Sequence, residues 1–206
     1  MVIVLLLITF LTTASLNGEA QSRWVFENYK YWGQNEASTI VPTVHFETGN
    51  KWCAELRYNY EEAETFSLFA GKTIAGGRKT EYSFSPMVGY SVGLFTGLSF
   101  AVNSEAEWKS FYLSSQTQYS IALKNNAENF FFTWSELGYN ISPHFFSGLT
   151  AQFTMQSGSS DLEPGFVAGV TLKNFTIPFY IFSPFKANRY FAIGINYEYN
   201  FKKRNK

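Results

Sequence analysis

"GINYEYNF", residues Gly194 to Phe201, is the stretch on which the reading of this chain turns. Every second position carries a large apolar or aromatic residue: Ile195, Tyr197, Tyr199, Phe201. Gly194, Asn196, Glu198 and Asn200 stand between them. A period of two marks a β-strand with two unlike faces. In a soluble β-protein the aromatic face would pack into a core; in a membrane barrel it would face lipid.

The same alternation recurs upstream. In "STIVPTVHFE" Ile40, Pro42, Val44 and Phe46 oppose Thr39, Thr43, His45 and Glu47. In "KWCAELRYNY" Trp52, Ala54, Leu56, Tyr58 and Tyr60 oppose Lys51, Cys53, Glu55, Arg57 and Asn59. "EYSFSPMVGY" sets Tyr82, Phe84, Pro86, Val88 and Tyr90 against Glu81, Ser83, Ser85 and Gly89. "HFFSGLTAQFTMQ" sets Phe145, Leu149, Ala151, Phe153 and Met155 against Gly148, Thr150, Gln152, Thr154 and Gln156. Breaks such as "TGN", "EEAE", "AGGRK", "NSEAE", "KNNAE", "SGSSDLEP" and "SPFKAN" separate the runs. Counting them predicts about twelve strands, or ten if Trp24–Trp32 and Tyr90–Val102 are not strands of their own.

Composition decides between water and lipid. Only 16% of residues are charged while 19% are aromatic, against about 25% charged in ordinary globular domains. The polar faces are built largely from Ser, Thr, Gly, Gln and Asn, and the single Asp, Asp161, is expected in a loop. A solvated exterior needs more charge than that. An apolar outer face, aromatics near the strand ends and a polar interior describe a transmembrane β-barrel. Closure also removes the unpaired sheet edges that lipid cannot tolerate. The predicted fold class is therefore an all-β, closed antiparallel transmembrane barrel with short loops on both sides.

Residues 1–20 read as a cleavable secretory signal, with "VIVLLLITFL" as its apolar core and Gly18 and Ala20 as the small residues before a cut. No Lys or Arg precedes that core. The predicted organisation is a signal at 1–20, a barrel at 21–201 and a basic tail, "KKRNK", at 202–206. No later apolar run reaches the length of a helical span. The formal net charge of +0 gives no electrostatic case for a nucleic-acid partner. A single cysteine, Cys53, rules out an internal disulfide.

At this point the opening stretch resembles a known pattern. Bacterial outer-membrane barrels commonly end in a strand carrying a Gly, then aromatic or apolar residues three and five positions on, and a closing Phe or Trp. Gly194, Tyr197, Tyr199 and Phe201 fit it. Two departures stand out: five residues follow Phe201, and Ile193 occupies a position where a polar residue is commoner. The resemblance implies a Gram-negative outer-membrane location, both termini periplasmic, and these four residues as a signal to the barrel-assembly machinery. It places "TGN", "AGGRK", "SP" (Ser142–Pro143) and "KN" (Lys173–Asn174) on the periplasmic side. "GQNEAS", the break near Ser91–Gly93, "KNNAE", "SGSSDLEP" and "SPFKAN" then lie outside.

Candidate functional residues fall on the face expected to point inward: His45, Glu47, Glu55, Arg57, Glu81, Glu136, Lys173 and Glu198. The parity of Phe46 and Trp52 requires an odd hairpin loop, which sets His45 opposite Cys53 or Glu55. Charges of both signs there would pair, line a narrow lumen and select solutes by charge and size. The expected function is a narrow channel for small solutes, with outer-membrane lipid around it. The alternatives are a closed accessory barrel and a lipid-modifying enzyme. For the last, only two histidines are available, and no H-x-x-x-H or G-x-S-x-G motif occurs. A metal pair from His45, Glu47, Glu55 and Cys53 is the one ligand set the register gathers, and it is not adopted. No cofactor is expected. "ENFFFTW" and "PFYIFSPF" carry aromatics on both parities, which predicts rings inside the barrel, Trp134 among them, that either pack the lumen or stack on a ligand.

Overall fold

The computed structural model describes residues 22–33, 38–124 and 127–201. The proposed signal and basic tail lie outside them. Thirteen strands form one antiparallel sheet: β1 (Arg23–Gly33), β2 (Thr39–Glu47), β3 (Trp52–Tyr58), β4 (Phe66–Lys72), β5 (Ile74–Gly76), β6 (Glu81–Val92), β7 (Gly97–Trp108), β8 (Phe111–Ala122), β9 (Phe130–Asn140), β10 (Phe145–Gln156), β11 (Ser159–Leu172), β12 (Phe175–Phe182) and β13 (Tyr190–Asn200). Apart from β4 and β5, each strand pairs with its sequence neighbours, and β1 also pairs with β13 from Arg23↔Asn200 to Gly33↔Tyr190.

The ring closes where β4 and β5 both pair with β6. Gly71↔Met87 and Ile74↔Phe84 lie in one continuous register, so β5 carries on the β4 ladder past a break at Thr73. At that break the Thr73 amide donates to the Lys51 carbonyl at 2.8 Å, and its hydroxyl meets Ser85 Oγ at 2.9 Å. Around any level the barrel therefore has twelve strands, in agreement with the count from the sequence. Arg23 and Asn200 mark the proximal rim, where both described chain ends lie; the opposite rim is distal.

Alternation sorts the side chains as the sequence predicts. Exposed large apolar residues, such as Leu68, Val88, Phe100, Leu149, Phe166 and Ile195, project from the outer face. Aromatic clusters ring that face near both ends: Trp24–Phe46, Phe175–Tyr197 and Phe111–Tyr139 proximally, Trp32–Phe191, Tyr58–Phe66 and Phe131–Phe153 distally. A broad apolar band between two aromatic girdles matches a bilayer.

Three readings from the sequence are corrected. "NSEAE" is not a break: Asn103–Glu107 lies within β7, and the chain reverses at Lys109–Ser110, with Lys109 at φ 56°. "SGSSDLEP" shrinks to a two-residue turn, Ser157–Gly158, whose φ values of 53° and 76° give the twist that hairpin strands need. Asp161 consequently sits in β11, paired with Thr154. Tyr60 leaves the outer series because β3 ends at Tyr58 and Asn59 (φ 58°) bends the chain inward.

The inner face holds a recurrent device. Phe69, Tyr112, Phe146 and Tyr29 each stand directly across from a glycine: Gly89, Gly138, Gly169 and Gly194. A Cβ on Gly194 would lie 2.7 Å from Tyr29 Cε1 and 2.8 Å from Pro178 Cγ. The glycine makes room for the ring to lie against the barrel wall. Gly194→Val should therefore destabilise the folded barrel by about 1–3 kcal/mol through overpacking. Gly158→Asn, where a Cβ meets nothing within 4 Å but φ is 76°, should cost less, because Asn tolerates the left-handed region better than other side chains do. Urea midpoints in detergent micelles, read by the gel mobility of folded and unfolded barrel, check both.

Candidate functional site

The lumen has two unlike walls. On strands β2–β8 it is polar and charged. Glu55 accepts from Arg57 Nε at 2.5 Å and from Asn103 Nδ2 at 3.0 Å, and stands 3.3 Å from His45 Nδ1. Arg57 Nη1 also donates to Gln118 Oε1 at 2.7 Å and reaches Glu61 at 3.5 Å. Its guanidinium lies between two rings, 4.3 Å from the centroids of Tyr60 and of Phe69. Glu61 is held further by Ser67, and Gln118 passes the network to Ser120. Arg57 is 1% exposed, so its charge is met entirely by protein groups, as burial requires.

The facing wall, from β9 round to β1, is aromatic. Trp134, Tyr180, Phe182 and Tyr190 form its buried cluster, with Tyr29, Tyr31, Phe132 and Phe146 packed against it. Trp134 Nε1 donates to Thr150 at 2.8 Å, which fixes the indole edge against β10. Tyr60 joins the two walls: its ring meets Phe132 edge-on at 5.8 Å and its hydroxyl donates to Gln116 at 2.7 Å. The two-sided aromatic runs of the sequence thus supply the inner wall, Trp134 included.

Four cavities succeed one another inside the barrel, neighbours sharing wall residues. A proximal vestibule of about 250 Å³ is bordered by Arg23, His45, Glu105 and Glu198. It shares Glu27, Asn103 and Asn196 with a middle chamber of about 300 Å³. Trp134 lines both that chamber and a distal one of about 290 Å³, bordered by Tyr31, Gln152 and Glu163. Tyr60 and Phe132 line both the distal chamber and an outer recess of about 550 Å³ near Glu61 and Glu128.

Of the predicted residues, the structure brings His45, Glu55 and Arg57 into one bonded cluster, with His45 opposite Glu55. Glu47 is at the proximal end of β2, where Lys51 donates to it at 2.9 Å. Glu136 lines the middle chamber. Glu198 lies in the proximal mouth, 3.9 Å from Arg23 and accepting from Asn200. Glu81 starts β6 at the same rim and is exposed. Lys173 does not line the wall: it occupies the Lys173–Asn174 turn (φ 56°), exposed on the proximal rim. His144 is likewise on a proximal turn, bonded to the Thr171 carbonyl at 3.1 Å. Glu27, Glu61, Glu105 and Glu163 are wall carboxylates that the sequence reading missed. Alternation could have found Glu105 had "NSEAE" been read as strand. Among the described residues no group of three or more His, Cys, Asp or Glu is placed to hold a metal ion.

In the terminal strand Asn196 and Glu198 turn inward, while Tyr197 packs outside on Phe175 at 4.7 Å and Phe26 at 6.4 Å. Phe201 follows the strand and its amide donates to the Ser22 carbonyl at 3.0 Å.

No family model matches the sequence, and none of the curated proteins does. Solved structures do match the shape. KdgM porin superposes with a TM-score of 0.63 at 9% identity, covering 84% of this chain and 98% of that one. A structure of KdgM porin with disordered oligogalacturonate gives the same figures. NanC porin gives a TM-score of 0.54 at 10% identity over the same shares of the two chains. The chain has the fold of the outer-membrane porins. Its size fits as well, since each of these porins is covered almost end to end.

Arg57 is the electrostatic knot of this porin-fold lumen. Arg57→Met leaves Glu55 and Glu61 buried without their cation and should cost about 3–5 kcal/mol. Arg23→Met, at the partly exposed mouth, should cost no more than about 1 kcal/mol. Urea unfolding of the three proteins in matched micelles, followed by tryptophan fluorescence, measures the difference.

Proposed function

We propose that this protein is an outer-membrane channel for passive passage of small solutes. The observation that carries the reading is the succession of cavities from rim to rim, neighbours sharing wall residues and lined by both charged groups and rings. A lumen that served only to stabilise the barrel would favour continuous packing, because interior voids cost stability. The porin fold supports the reading without specifying the solute. Residues 1–20 direct export, the proximal rim faces the periplasm, and residues 202–206 form a basic periplasmic tail. Gly194, Tyr197, Tyr199 and Phe201 are recognised by the assembly machinery.

The competing reading, a closed accessory barrel, draws on Arg57, whose contacts bridge from β3 to Gln118 on β8 and narrow the lumen. Planar-bilayer recording separates the two. Purified protein should give discrete single-channel steps whose size rises with KCl concentration. A flat trace across the salt series, from protein shown to be folded, would rule the channel out.

A further inference from the structure

The middle chamber carries a charge pattern that neither the fold nor the channel reading specifies. Glu27, Glu105 and Glu136 border it. Among the described residues none of the three has an ion-pair partner within 4 Å. Arg57, a fully buried cation of the polar wall, is taken by Glu55, Glu61 and Gln118, and Arg23 faces Glu198 in the vestibule. Carboxylates gathered in a confined space draw in a cation, or take up a proton where none is supplied.

Two further observations say what kind of cation. The Asn103 amide donates to Glu55, and the Asn196 amide donates to Tyr29 Oη at 3.0 Å. Those bonds fix both side chains, and leave Asn103 Oδ1 and Asn196 Oδ1 buried without a partner. Both are acceptors at the chamber wall, so the missing partner is a hydrogen-bond donor. The same chamber is bordered by rings, Tyr29 two residues from Glu27 on β1 and Trp134 two residues from Glu136 on β9. Trp134 stands 5.2 Å from both Tyr29 and Tyr180, which are 6.1 Å from each other, centroid to centroid. Ring faces beside carboxylates are the chemistry that recognises an organic ammonium group. A bare inorganic cation would have no use for the rings, and an anion no use for the carboxylates or the amide oxygens.

We infer that the middle chamber is a binding site for small organic cations, with the ammonium group between Glu27 and Glu136 and its carbon skeleton against Trp134, Tyr29 and Tyr180. The inference rests on the channel reading for its biological sense, since it names the solute class that would pass. The chamber, of about 300 Å³, is at the small end of ligand sites, which run from about 300 to 1,000 Å³. It therefore suits an amine of metabolite size.

The test uses three probes of one shape: phenethylammonium, the neutral 2-phenylethanol and the anionic phenylacetate. In bilayers under a KCl gradient, the reversal potential should show cation preference. Phenethylammonium should reduce the current far more than the alcohol, and phenylacetate least of all. Glu27→Gln and Glu136→Gln should each weaken that block by about tenfold or more, as removal of one partner of a desolvated charge contact does. Trp134→Leu should weaken it with the selectivity for K⁺ over Cl⁻ retained. Equal block by phenylacetate, or block indifferent to all three substitutions, overturns the site. Calorimetric titration of the folded barrel with the same probes runs in parallel. Absence of current together with phenethylammonium binding lost in Glu27→Gln removes the channel reading and keeps the site. Current without such binding does the reverse.

Discussion

Inside a bilayer no water is available to a stray amide or carbonyl, so every strand needs a hydrogen-bonded neighbour on both sides. The rest of this structure depends on that requirement. It is met by sequence neighbours everywhere except at two seams: β1 on β13, and β4 with its continuation β5 on β6. At the second seam the ladder survives a break at Thr73 because the register on either side is the same. The strand has already found a substitute partner there, in the Lys51 carbonyl. Once the ring is closed at twelve strands, the direction of every side chain follows from parity, and the bore is narrow enough for side chains to meet across it.

That narrow bore is divided along its circumference. One arc concentrates charge around Arg57; the other carries the rings packed around Trp134, with Glu27, Glu136 and Glu163 among them. The division has an electrostatic logic. Rings lower the local dielectric beside the carboxylates and strengthen their field, while the serine and glutamine hydroxyls and amides of the polar arc keep the buried ions solvated. The result is a bore whose charge is balanced near Arg57 and acidic in the chamber next to it.

Much of this was legible in the chain itself. The alternation in "GINYEYNF" and its counterparts gave face, strand count and closure, because a two-residue period with one apolar side has few other uses. Loop parity alone set His45 opposite Cys53 or Glu55, and the register chose Glu55. What escaped had physical reasons. Glu27 sits on a strand whose outer face also bears Asn28 and Lys30, so neither side of Trp24–Trp32 looked apolar. Glu105 hid in "NSEAE" and Asp161 in "SSDLEP", where small polar residues are common to turns and to the inner faces of barrels. Tyr60 moved inward because a single residue, Asn59, took a left-handed conformation that composition does not announce. Lys173 shares the parity of wall residues but stands one step past the end of β11, in the turn.

The glycine–ring pairs bear on how such barrels diverge. At Phe69–Gly89, Tyr112–Gly138, Phe146–Gly169 and Tyr29–Gly194 the constraint belongs to a pair of positions rather than to either residue. A larger residue can replace the glycine only as the ring opposite shrinks, so each pair has to drift as a unit, and in an alignment it would surface as covariation. Constraints of that form hold the backbone in place while leaving single positions free.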